Sequence, residues 1–280
     1  MKNFKKGSVE SFKNNWINRP ETNYNHFIRG NPENQIQFAF QNHFQVFNEL
    51  VFTKKEKYKI LEVGCGRGSL SAYFSEKGHD CHLLDISKEI ISTAQEIFNH
   101  NKLEGNFYVE DGEKMNFSDN NFDIVFSIGL MEHFKEIENI LNEKIRVLKK
   151  GGSLFLYVVP EYNGKNIQKD FNWINEILKD NDQDNDLEKD EVYRSDDTSE
   201  KYLNFLNSKM EEVKSSGIYS VPMISPSINF PFTLMSKSQE LILINYFKSL
   251  LKERKKNNPT LNPWLCKEGY GQAFLIYAKK

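Results

Sequence analysis

The run Tyr58-Lys59-Ile60-Leu61-Glu62-Val63-Gly64-Cys65-Gly66-Arg67-Gly68-Ser69-Leu70 decides the fold. Residues 58–63 form a short apolar run that reads as a buried parallel strand. Leu70, Ala72, Tyr73 and Phe74 begin a helical pattern. Glycines at 64, 66 and 68 join the two. A strand that turns sharply into a helix needs residues that tolerate positive φ and let a ligand approach the backbone. The helix start then offers free N–H groups to a polar or anionic ligand. A dinucleotide fingerprint, G-x-G-x-x-G, would need its third glycine at position 69, where this chain has Ser69, so NAD is not expected.

Working outward, Asp80-Cys81-His82-Leu83-Leu84-Asp85 is a second short strand with a carboxylate at its carboxyl end. Asp85 stands where an α/β nucleotide fold places the acid for ribose hydroxyls, and one carboxylate has acceptor sites for two of them. Ser87 is the expected cap of the following helix. Asn106 to Val109 is a third strand, followed by Glu110-Asp111-Gly112-Glu113. Asn121-Phe122-Asp123-Ile124-Val125-Phe126-Ser127-Ile128-Gly129-Leu130-Met131-Glu132-His133-Phe134 is a fourth strand with its loop. Val147-Leu148-Lys149-Lys150-Gly151-Gly152-Ser153-Leu154-Phe155-Leu156 gives a helix end, a glycine pair and a fifth strand.

Glu62-Val63-Gly64-Cys65-Gly66-Arg67-Gly68 resembles motif I of the class I S-adenosylmethionine (SAM) methyltransferases. The four later stretches match the family's further motifs in order, over Ile60 to Val159. The resemblance implies an α/β, Rossmann-like fold: a doubly wound, mostly parallel seven-stranded sheet, with a last strand paired antiparallel. It implies SAM as cofactor and S-adenosylhomocysteine (SAH) as product. The matching cofactor positions are Glu62, Gly64, Gly66, Gly68, Asp85, Ile86, Asp111, Gly112, Ser127 and Ile128, with Asp111 accepting from the adenine amino group. The Glu132-His133 step, like that of small-molecule methyltransferases, supplies two catalytic candidates, His133 as general base among them; His26 is a third. Some quinone-biosynthesis methyltransferases hold a metal with Glu-x-x-Glu-His there. Gly129 replaces the first Glu in this chain, so no metal is expected. The Asn/Asp-Pro-Pro-Tyr/Phe motif of enzymes acting on adenine or glutamine is also missing, which argues against a DNA or release-factor substrate.

Composition fits this reading. A hydrophobic content of 39%, 13% of the chain being aromatic, is enough for a core, and a net charge of -2 lacks the basic excess that nucleic-acid binding normally needs. No stretch approaches a membrane span and no signal peptide is visible at the first residues, so a soluble, cytoplasmic protein is expected. The cysteines at 65, 81 and 266 form no spaced pair and read as reduced thiols, without zinc spacing. Cys65 reads as a small packing residue within the glycine turn. The acidic run 180–186 lacks the glycine and distal glutamate of a calcium loop and reads as a surface loop.

Four regions follow: 1–52, an N-terminal helical cap; 53–159, the SAM-binding core; 160–234, an inserted helical lid; and 235–280, completing the sheet. In the first, Asn31-Pro32-Glu33 reads as a helix start. In the third, Tyr202, Phe205, Leu206, Met210 and Val213 read as one amphipathic pattern. In the fourth, Ser236 and Gln239 form a capping box. Cap and lid offer aromatic surface with polar tips at Trp16, Tyr24, His43, Trp173, Tyr219 and Phe230, the expected acceptor contacts. Arg29 is an expected partner for the methionine carboxylate. The function expected is methyl transfer to a small-molecule acceptor, by a monomer or homodimer. The alternatives are a protein or RNA acceptor, or SAM binding without transfer.

Overall fold

The structure, a computed structural model, describes residues 26–51, 57–160, 193–219 and 236–280. In chain order its elements are α1 (Gln35–Val51), β1 (Lys59–Val63), α2 (Ser69–Glu76), β2 (Asp80–Asp85), α3 (Lys88–His100), β3 (Asn106–Val109), β4 (Phe122–Ile128), α4 (Glu138–Val147), β5 (Leu148–Val158), α5 (Ser199–Leu206), β6 (Glu211–Tyr219), α6 (Lys237–Asn257), β7 (Leu265–Cys266) and β8 (Gly271–Lys279). Short 3-10 turns lie at Met131–His133 and Glu268–Tyr270.

The eight strands among the described residues form one sheet in the order β3-β2-β1-β4-β5-β8-β6-β7. The five from β3 to β5 are parallel, while β8, β6 and β7 join antiparallel. Seven strands were expected; the eighth is the two-residue edge β7. Successive side chains leave opposite faces of a strand, so Ile60, Ile124, Phe126 and Phe155 pack in one cluster with Phe47, Phe74 and Phe247. Leu61, Val63, Val125 and Leu156 pack in the other with Leu141, Tyr202 and Leu206. Strand order reverses between β1 and β4, and ligands in open α/β sheets bind beyond the carboxyl ends of the strands at such a point.

Three local expectations change. The first helix starts at Gln35, and its cap is Asn34, whose Oδ1 accepts from Gln37 N at 2.9 Å, so Asn31-Pro32-Glu33 lies in the preceding bend. The single pattern read over 202–213 divides: α5 stops at Leu206, and β6 begins at Glu211. β6 pairs with β8 inside the core sheet, so the region 160–234 is not wholly a lid. The pattern misleads because a two-turn helix and a half-buried strand abut with their apolar residues in phase. By contrast, α6 begins with the expected Ser236/Gln239 capping box.

Candidate functional site at the strand carboxyl ends

The glycine turn is pinned to the neighbouring strand. Gly64 N and Cys65 N both donate to Leu84 O, at 2.8 and 3.0 Å. Gly64, Gly66 and Gly68 all have positive φ. At Gly68, where φ is +67°, a Cβ would stand 2.4 Å from Leu83 Cδ2, so a side chain would strain the backbone and displace that leucine. Asp85 completes the cradle. Its Oδ2 accepts from Gly66 N at 3.2 Å and its Oδ1 from Ser87 N at 3.1 Å. Burial pushes this carboxyl up, against the main-chain N–H groups of Ser87, Gly66 and Ile86, which pull it down. A carboxylate has about four lone-pair sites, so these three N–H groups leave capacity for a further donor.

Beside Asp85, two large apolar side chains face outward: Ile86 is 52% exposed and Val109 50%. Asp85 and Val109 are partners across β2 and β3, so Ile86 and Val109 stand on neighbouring strand ends. Ile86 was expected here; Val109 was not, although an apolar residue closing the third strand was its visible signal. Asp111 is exposed and its Oδ1 accepts from Glu113 N at 2.9 Å. Gly112 backs onto Val63, whose Cγ1 would lie 2.9 Å from a Cβ there. Glu62 is buried, and its Oε2 accepts from Ser71 Oγ at 2.5 Å. Burial drives the Glu62 carboxyl up to about 8.

The loop after β4 holds the catalytic candidates. Ser127 is fully buried, and its Oγ accepts from Lys144 Nζ at 2.5 Å, while Ile128 is half-buried. Glu132 and His133 are both buried, with His133 Nε2 3.9 Å from Glu132 Oε1. Burial raises the Glu132 carboxyl to about 7. His133 Nδ1 donates to Tyr193 O at 2.7 Å. Burial lowers the imidazole to about 4, opposed by bonds to the carbonyls of Tyr193 and Gly129. The bond from Nδ1 ties His133 to the segment at Tyr193 and leaves Nε2 on the side of Glu132.

On the other side of the turn, residues 26–29 lie along α2. His26 Nδ1 is 2.6 Å from Ser69 Oγ, and its ring stacks on Phe40. Tyr73 Oη donates to His26 O and accepts from Ile28 N. Ser69, Tyr73 and Glu76 share one helix face, so this short segment is fastened along the helix. Arg29 sits at the far end. It donates to both carboxylate oxygens of Glu76, at 2.8 and 2.7 Å, and to Asn101 O. This bidentate pairing corrects the expectation that Arg29 meets a cofactor carboxylate.

His43 is also reassigned. It is 2% exposed and accepts from Trp264 Nε1 at 2.9 Å. Burial lowers its pKa to about 3, so it is a neutral core residue rather than an acceptor contact. Trp16, Tyr24, Trp173 and Phe230 lie outside the described residues. Tyr219 closes β6, opposite Gly271, and its side chain also lies outside them. Among the described residues no group of three or more His, Cys, Asp or Glu could hold a metal ion, and no helix is long and apolar enough to cross a membrane.

The family described as "Methyltransferase domain" matches residues 61–156, the span from β1 to β5 that carries this cradle. The central part of this chain is thus similar to a methyltransferase domain. Outside that domain the likeness thins. The chain is 29% identical over 150 residues to the sterol 24-C-methyltransferase erg-4 of Neurospora crassa, covering 51% of this chain and 39% of that protein. It is 31% identical over 98 residues to a ubiquinone biosynthesis O-methyltransferase of Pelagibacter ubique, covering 35% and 40%. The chain thus spans about two-fifths of the length of these curated relatives. Among solved structures, the [4+2]-cyclase SpnF shares the methyltransferase-domain fold with a TM-score of 0.55 at 15% identity, over 98% of this chain and 93% of that one.

Proposed function

We propose that this chain is a SAM-dependent methyltransferase acting on a small-molecule acceptor and leaving SAH. The observation that carries the reading is the Gly66–Asp85 contact. A positive-φ glycine turn and a strand-end carboxylate are joined, with acceptor capacity to spare, beside the outward-facing Ile86 and Val109. That set suits a ribose with a flat base: Asp85 takes a hydroxyl, Ile86 and Val109 flank the base, and Asp111 accepts from its amino group. Glu62 and the main chain from Gly64 to Gly68 would hold the amino-acid end, and the backbone of Ser127 and Ile128 would border it. When bound, SAM supplies a methyl group already activated by its sulfonium.

The chain's own contribution is then placement. Holding an acceptor in line can lower a barrier by about 7–11 kcal/mol. Glu132 and His133 lie on the loop after β4, at the side of the sheet where ligands bind. His133 anchors that loop through Tyr193 O. Glu132, with its carboxyl raised towards neutrality, is the better-matched group to hold a proton. Methyltransferase relatives named for a sterol and for ubiquinone biosynthesis support a small-molecule acceptor. A net charge of -2 gives no support to an RNA acceptor. A protein named a cyclase shares the fold, so the fold by itself does not fix transfer as the reaction, and SAM binding without transfer is the second reading.

Calorimetric titration of the full chain with SAH tests the cofactor, with NADH as control. Incubation with methyl-tritiated SAM and a cell extract then tests transfer. Label in the low-mass fraction is the expected outcome. Label in protein or RNA would move the acceptor class, and SAH binding with no labelled product would leave the second reading. A folded chain that binds no SAH would sink both.

A further inference from the structure

Helix α4 presents Ile140, Leu141, Lys144 and Val147 to the core. Three of these are apolar, and the fourth is a lysine with 0% exposure. Burying an ammonium is costly unless it is paired and hydrogen-bonded. Its hydrogen bond goes to a neutral hydroxyl, Ser127 Oγ, at the carboxyl end of β4. The opposite charge that acts on it through space, without a direct ion pair, is Glu132, five residues further on and 2% exposed, whose Oε2 has no hydrogen-bond partner among the described residues. Burial lowers the Lys144 ammonium to about 7, and the Glu132 charge opposes that shift. The loop carrying Glu132 is also held from outside: Ser195 N donates to Glu132 O at 2.7 Å, Tyr202 Oη to Met131 O and Lys201 Nζ to Lys135 O. Lys144 holds the strand end from which that loop departs.

We propose that Lys144 is a positioning residue for the acceptor side of the site: bonded to Ser127, it fixes the end of β4 from which the loop Gly129 to Phe134 departs. The role rests on the methyltransferase reading, since that loop borders the reacting groups only if SAM binds at the cradle. Replacing a whole set of buried ions by apolar side chains of similar volume is often neutral or stabilising, whereas removing one of them leaves the other's charge uncompensated. What the Lys144–Ser127 bond adds is a defined geometry between β4, α4 and the loop that departs from the strand end.

Hydrogen exchange of the full chain tests this. In Lys144→Met, amides 129–135 should exchange at least about tenfold faster, while those of β1 and β2 keep their wild-type rates. The protection of these amides should also change with pH near neutrality in the wild type. Its midpoint should move to higher pH in Lys144→Met, because Glu132 loses a cation that favours its ionised form. Arg194, His133, Tyr157 and Tyr202 also bear on this cluster and are unchanged in the variant. Ser127→Ala, which removes only the hydroxyl, should speed the same amides by a smaller factor and carries the test if Lys144→Met does not fold. Wild-type exchange and an unmoved midpoint in a folded Lys144→Met would overturn the proposal. SAH titration of the same wild-type sample separates the two ideas: no SAH binding removes the methyltransferase reading and with it this role, whatever the exchange rates.

Discussion

Glu240 Oε2 accepts the main-chain N–H of Gln35 at 2.7 Å, so a carboxylate on α6 caps the first turn of α1 across 205 residues of chain. Gln35 Nε2 adds a second contact to Glu240 Oε1. The first N–H groups of a helix have no partner within it, and a negative charge there also meets the positive end of the helix dipole. Glu240→Ala should cost about 1–3 kcal/mol, the range for leaving buried donors unsatisfied. Thermal unfolding should show a lowered midpoint, with Glu240→Gln recovering part of it. An unchanged midpoint in Glu240→Ala would mean that other groups cap α1.

Asp85→Ala should weaken SAH binding by at least ~1.5 kcal/mol, about tenfold, since it removes the acceptor proposed for a ribose hydroxyl. The loss should appear in calorimetry of a protein whose circular dichroism matches the wild type. Equal affinity would take Asp85 out of the site.

Arg29→Ala should leave SAH affinity within about twofold of wild type, well below the tenfold that 1.4 kcal/mol represents. The guanidinium is already committed to Glu76 and Asn101 O on the outer side of α2. A tenfold loss would restore Arg29 as a carboxylate partner.

Glu62 makes a prediction with a sign. Its carboxyl rises from an ordinary 4.5 to about 8 on burial. Between those values the folded state binds the proton and the unfolded state does not, so this group's stabilising contribution is full below pH 4.5 and is lost as pH rises through 8. Denaturant unfolding of wild type and Glu62→Gln should therefore diverge across that window, with the wild type losing stability faster as pH rises. Parallel curves would show that Glu62 titrates normally.

The parts of this protein that were legible in its sequence are those where the backbone itself makes demands. A turn with positive φ at 64, 66 and 68 leaves three glycines within five residues, and Asp85 follows a short apolar run. The capping box at Ser236 is likewise a local contract between neighbours. Lys144 with Ser127, His43 with Trp264 and Arg29 with Glu76 are pairings made by the tertiary fold. Nothing in the neighbourhood of any one of these residues names its partner. A histidine or arginine near a predicted site therefore read as functional when its commitments lay elsewhere. Strand β6 was hidden differently, by an apolar pattern that continued from α5 across a change of period.

The position of β8 has a consequence for how the protein is made. That strand fills the gap between β5 and β6, yet it follows every other described strand in chain order. Until residues 271–279 emerge, the edge of β5 has no antiparallel neighbour, and Leu154, Phe155 and Leu156 lack one wall of their packing. Unpaired apolar edges recruit other chains. The nascent protein is thus open to misassociation from the time the cradle is made until β8 is added. Fragments ending before Gly271 should accumulate in inclusion bodies.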